Sequence, residues 1–153
     1  MECSIILDSS ALFVIAENLA SLDSIYEIAS ECEVIVVKPV IEELKSIAGR
    51  DRSRKSLLAK WILQNLVPRF KVVDLNVKGE ADSAILEYAY ELKRKGIRSI
   101  IATTDGEVKE KALKRGIDVL IYRESERIFE SPKNLLKAFK PKTLGYSWWH
   151  YFV

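Results

Sequence analysis

The chain has 153 residues, of which 48% are hydrophobic and 30% charged, with a net charge of +2. That composition fits one globular domain with a buried core and excludes a disordered polyelectrolyte or a strongly basic nucleic-acid coat. No apolar run is long enough to cross a bilayer and no basic-then-apolar leader opens the chain, so no membrane contact is expected.

The first element is an unbroken apolar run at 3–7, read as a strand buried on both faces. It stops at Asp8, with Ser9, Ser10 and a new apolar stretch behind it. Asp8 on its own is explained as a helix N-cap. The alternative is an acid at the carboxyl end of a parallel strand, where open α/β sheets place their ligands. Two short helices are expected within 10–28, then a strand at 33–38. Cys3 and Cys32, the two cysteines present, read as reduced, buried thiols of a cytoplasmic protein.

A helix at 40–48 follows Pro39, with Val40, Ile41, Leu44, Ile47 and Ala48 on its buried face. At 100° per residue Glu43 borders that face, whereas Glu42 points to solvent. The loop ahead of a helix at 53–66 carries Arg50, Arg52, Arg54 and Lys55 against Asp51 alone. It reads as a flexible, Gly-containing loop suited to contacting phosphates without reading sequence. A strand at 70–75 precedes the most regular helix, 80–95, whose first turn holds Asp82 beside the apolar stripe. The strand at 99–103 ends in Thr103, Thr104 and Asp105, then a helix at 106–115 and a strand at 118–122. Lys109, Lys111, Lys114 and Arg115 fit equally a substrate surface or a solvated helix face. Gly96 and Gly116 follow basic last turns, as C′ glycines do. A short helix at 132–139 leads into the tail "GYSWWHYFV", whose lone histidine, His150, reads as a packing or surface residue. Trp148, Trp149, Tyr151 and Phe152 are too apolar to stand free in water. Residues 1–140 are expected to form one α/β domain, with 141–153 packed on it or at a subunit interface.

Each acid has an ordinary explanation in the helix dipole. Their shared address, at strand ends and helix starts along one sheet edge, does not. Two carboxylates ~4 Å apart repel by ~4 kcal/mol at an effective dielectric of about 20. A cluster of acids therefore calls for a hard cation, and oxygen ligands suit Mg²⁺ or Mn²⁺.

Asp8 in "ILDSSAL", Glu43 in "PVIEEL", Asp82 in "EADSAIL" and Asp105 in "ATTDGEVKEKALKRGIDVLIY" together resemble the PIN-domain ribonucleases, in the right order over residues 3–123. The likeness is to archaeal VapC-like toxins and to ribosomal-RNA-processing PIN proteins. It implies a five-stranded parallel sheet in the order 3-2-1-4-5, with helices on both faces. Asp8, Glu43, Asp82 and Asp105 match metal-binding positions, Thr103 matches a small hydroxyl residue of the site, and Ser9 matches the hydroxyl position after the first acid. Metal ions there would grip the scissile phosphate and acidify a water, leaving 5′-phosphate and 3′-hydroxyl ends. The implied partners are an RNA substrate (single-stranded or structured rRNA, tRNA or mRNA), a second copy of the chain, and an antitoxin or pre-ribosomal protein. The competing reading is a non-catalytic PIN-fold module that binds RNA or a partner. A haloacid-dehalogenase-like phosphatase would need an Asp where Ser10 stands, and a receiver domain would need acids and a late lysine that are not evident.

Overall fold

The computed structural model describes residues 3–18, 22–28, 30–75 and 79–131. The expected helix at 132–139 and the aromatic tail at 141–153 lie outside the described residues. In chain order the elements are β1 (Cys3–Leu7), α1 (Ser9–Ala16), α2 (Leu22–Ile28), β2 (Glu33–Val37), α3 (Lys38–Ala48) and α4 (Arg54–Trp61). They continue as β3 (Lys71–Val73), α5 (Ala81–Arg94), β4 (Arg98–Thr103), α6 (Gly106–Lys114), β5 (Asp118–Arg123) and β6 (Ile128–Glu130). Among the described residues no helix is long and apolar enough to cross a membrane.

The sheet runs β3-β2-β1-β4-β5-β6. Its first five strands are parallel in the expected order. The sixth, unforeseen, strand pairs antiparallel with β5, so the expectation of five strands is corrected. The cause is local: Arg127 adopts φ +55° in a tight turn, and Ile128-Phe129-Glu130 folds back along Arg123-Tyr122-Ile121. Phe129 is fully buried there and the Arg123 guanidinium pairs with the buried Glu130. Three residues are too few to show a strand period in the sequence.

Ile5, Ile6 and Leu7 have no exposed surface, so β1 is covered on both faces at the centre of the sheet. Helix α3 buries Val40, Leu44, Ile47 and Ala48, the expected phase. Helices α5 and α6 end as their sequences indicate. Gly96 and Gly116 take φ +82° and +71°. The next N–H groups, of Ile97 and Ile117, return 2.9 Å bonds to Leu92 and Ala112.

Three further expectations are corrected. The helix expected at 53–66 is α-helical only to Trp61, passing into a π-helical turn at Ile62–Leu66 and a 3₁₀ turn at Val67–Arg69. Pro68 offers no N–H and its ring crowds the carbonyl four residues back, so an α-helix cannot run through it. The strand expected at 70–75 pairs only over Lys71–Val73. Finally, Cys3 and Cys32 are joined in a disulfide, not free. The β1–β2 register explains it: Ser4 lies opposite Glu33, so the residues one step earlier meet, with Cα atoms 4.6 Å apart.

This disulfide ties the amino-terminal end of the central strand pair across a separation of 29 residues. Closing such a loop in the unfolded chain stabilises the fold by about 3–4 kcal/mol in the chain-entropy model. Reduction, or the Cys3→Ser/Cys32→Ser pair, is expected to lower the unfolding free energy by roughly that amount. Urea titrations with and without dithiothreitol measure it; coincident curves would remove the staple from the account.

Candidate active site

The carboxyl ends of β1 to β4 open into a cleft of about 1040 Å³. Asp8, Glu43, Asp82 and Asp105 all line it, brought from four separate elements. The four acids expected along one sheet edge share this cleft.

Asp8 follows β1 and is 2% exposed. It occupies the N-cap position of α1, yet its side chain caps nothing. Its Oδ2 instead accepts from Thr103 Oγ1 at 2.7 Å and from Ser10 Oγ at 3.0 Å. Each hydroxyl also accepts a backbone N–H from the turn after β4, Asp105 to Thr103 and Thr104 to Ser10, both at 3.0 Å. Two relays thus join the backbone donors of one strand end to a carboxylate on the neighbouring strand. A buried charge needs such partners, because leaving a charged group unsatisfied costs several kcal/mol, on the order of 3 or more.

Ser9 donates to Glu43 Oε1 at 2.9 Å and lies 3.5 Å from Asp8 Oδ1. It therefore sits between two acids, and helix phase selects Glu43 as expected. Glu42 also reaches the rim of the cleft, but is exposed and paired with Lys45 at 3.7 Å. Asp105 does cap its helix, accepting the Glu107 N–H at 2.8 Å, while it lines the cleft. Asp82 lies in the first turn of α5. Burial, then the charges of Asp8, Asp105, Glu43 and Glu80, raise its carboxyl above the usual carboxylate range. All three other acids act on it, as their common cleft implies.

The site also holds residues that the sequence did not single out, Ser10 among them. Asp74 and Glu80 line the cleft, and Asp74 pairs with Lys38 at 3.5 Å. Asp74 directly follows β3, so the strand-end logic that selected Asp8 could have found it.

The basic cluster divides. Arg54 and Lys55 line a second groove of about 460 Å³, which shares Ser10 with the acidic cleft. Arg50 and Arg52 are exposed and line neither. The loop bearing them carries its own hydrogen bonds. Asp51 accepts the Ser53 N–H at 2.8 Å and the Ser56 hydroxyl lies 2.7 Å away. The Ser53 side chain first, then these two contacts, hold the Asp51 carboxyl down at about 2. On α6, Lys111 pairs with Glu107 at 2.8 Å, and Arg115, at the C-cap, pairs with Glu87 at 3.2 Å.

No three Asp, Glu, His or Cys side chains among the described residues are gathered tightly enough to hold a metal ion as they stand. Carboxylates repel one another unless a cation lies between them. The chemistry of the donors still fits one: oxygen ligands only, several of them acids on a single cleft, with Asp82 already resisting ionisation.

The Asp82→Asn variant is expected to be more stable than the wild type at pH 7 in EDTA. A raised carboxyl disfavours the folded state wherever it must ionise. The advantage should shrink as pH falls through the raised Asp82 value and vanish below about 3.8, where the acid is protonated folded or unfolded. Denaturant midpoints at pH 7 and pH 3.5 test this; equal midpoints for both proteins at pH 7 would contradict the crowding.

A family model described as "PIN like domain" matches residues 5–125. Ribonuclease VapC4 of Methanocaldococcus jannaschii is 31% identical over 127 residues, spanning 80% of this chain and 92% of that protein. A solved structure described as the PIN domain endonuclease Utp24 superposes with a TM-score of 0.63 at 17% identity, covering 84% of this chain and 92% of the other. That last likeness speaks to the fold. The matched span contains every acid of the cleft, and the chain belongs to the PIN-like domain family.

Proposed function

We propose that this protein is a divalent-metal-dependent endoribonuclease that hydrolyses RNA phosphodiesters to 5′-phosphate and 3′-hydroxyl ends. The observation that carries this reading is the single cleft to which four elements each bring an acid. Asp8, Glu43, Asp82 and Asp105 would hold Mg²⁺ or Mn²⁺. Bound there, the ion would neutralise the scissile phosphate and make a water acidic enough to attack near neutral pH.

The chain's own residues prepare that site. Thr103 and Ser10 fix the Asp8 carboxylate, and Ser9 fixes one oxygen of Glu43. No side chain is then needed to abstract the RNA 2′-hydroxyl proton. Arg54 and Lys55 give the strand a path into the site through the groove that meets the cleft at Ser10. The kinship with Ribonuclease VapC4 favours a toxin-type ribonuclease whose partner is an antitoxin protein over a ribosomal-RNA-processing role.

A labelled single-stranded RNA should be cut in Mn²⁺ or Mg²⁺ and left intact in EDTA. Asp8→Asn and Glu43→Gln are expected to lose at least about 100-fold in rate, the scale of removing a stabilising group from a transition state. Glu42→Gln should remain within about two-fold of wild type, as an exposed pair with Lys45 contributes little. Arg54→Ala/Lys55→Ala should raise KM more than it lowers kcat. Full activity in folded Asp8→Asn protein would end the assignment.

A further inference from the structure

The acidic cleft presents seven carboxylates and, among the described residues, a single cation, Lys38. Two divalent ions and one lysine together fall short of that negative charge. An RNA chain, itself an anion, must bring at least one phosphate beyond the scissile one past these acids. From this imbalance, and on the reading of the cleft as an RNA site, we infer that Lys38 is the residue that receives a flanking RNA phosphate.

Three observations support the assignment. Lys38 is the first residue of α3, where the helix dipole disfavours a cation, so its position has no helix-stabilising explanation. Its ammonium stands 3.5 Å from Asp74, with both side chains at least half exposed. An exposed pair of this kind is weak, so the ammonium can leave Asp74 for a phosphate at little cost, while Asp74 keeps it at the cleft until then. The third is topology. Lys38 and Asp74 directly follow β2 and β3, whereas the groove of Arg54 and Lys55 opens at Ser10 and Thr104, beyond β1 and β4. In the strand order β3-β2-β1-β4, cationic contacts then lie to both sides of Asp8. A strand crossing the acids would be held by its phosphates before and after the bond to be cut.

The test uses binding as well as turnover. In an Asp8→Asn background, which keeps the RNA uncut, affinity for a fluorescein-labelled single-stranded oligoribonucleotide is measured by anisotropy in Mg²⁺ over a series of salt concentrations. Adding Lys38→Ala should weaken binding about five-fold and flatten the slope of log K against log salt by about 0.7, the contribution of one phosphate contact on a single strand. Lys38→Arg should restore both. Lys71→Ala, which removes an exposed lysine paired with Glu33 at the start of β3, should change neither. In the otherwise wild-type protein Lys38→Ala should raise KM about five-fold with kcat nearly unchanged, as removal of a uniform binding contact does. An unchanged salt slope, or a fall in kcat without a change in slope, overturns the assignment. Should the wild type bind RNA with a Lys38-dependent slope yet cut nothing, the hydrolase reading fails and Lys38 stands.

Discussion

The carboxylate of Asp8 is the constraint around which the carboxyl edge of the sheet is arranged. It is nearly inaccessible to water, at the end of a strand with no exposed surface in Ile5, Ile6 or Leu7. An ion in that position must be answered by fixed dipoles. Thr103 and Ser10 supply them, and each hydroxyl is itself oriented by a backbone N–H from the turn after β4. The register of β1 on β4 sets this geometry, since pairing Leu7 with Ala102 places Asp8 beside Thr103.

The rest of the cleft departs from what stability alone would select. Outside it, charged residues find opposite partners, as in Arg98 with Asp118 or Lys71 with Glu33. Inside it, acids are added to acids, and burial together with four neighbouring carboxylates raises Asp82. A fold tolerates such a concentration of like charge where a ligand of opposite charge removes it. The opposite end of the sheet behaves differently. There the Cys3–Cys32 disulfide secures the first strand pair, so the strands that present Asp8 and Glu43 are anchored away from the repulsion. One end of the sheet is covalently closed, and the other is left electrostatically open.

Much of this was legible in the sequence because it depends on local periodicity. The unbroken run Ile5-Ile6-Leu7 announced a strand buried on both faces, and the 3.6-residue phase of α3 separated Glu43 from Glu42. Gly96 and Gly116 marked helix ends through their positive φ. What escaped depends on register and on short spans. Pairing of Cys3 with Cys32 follows from which residue of β1 faces which residue of β2, and no single strand encodes that. The three residues of β6 are held by contacts with β5 rather than by any repeat of their own. Pro68 stops an α-helix by its chemistry, but nothing about it encodes the π-helical turn that precedes it. Ser10 escaped because a serine at a helix start usually caps the helix, whereas here its hydroxyl serves a neighbouring carboxylate.

The same reasoning gives the two roles of Asp8 and Asp105 a common physical basis. Both sit at N-cap positions, but only Asp105 spends an oxygen on its helix. At Asp8 the hydroxyls of Thr103 and Ser10 engage Oδ2 instead. A capping acid is exchangeable with serine, threonine or asparagine at small loss, because each can accept the same N–H. An acid held by two hydroxyl donors in a buried setting is not exchangeable in that way, since a neutral replacement carries no charge for those donors to answer. The residue freed from capping is thus the one whose oxygen two neighbouring hydroxyls hold, and it stands at the centre of the strand order with other acids on both sides.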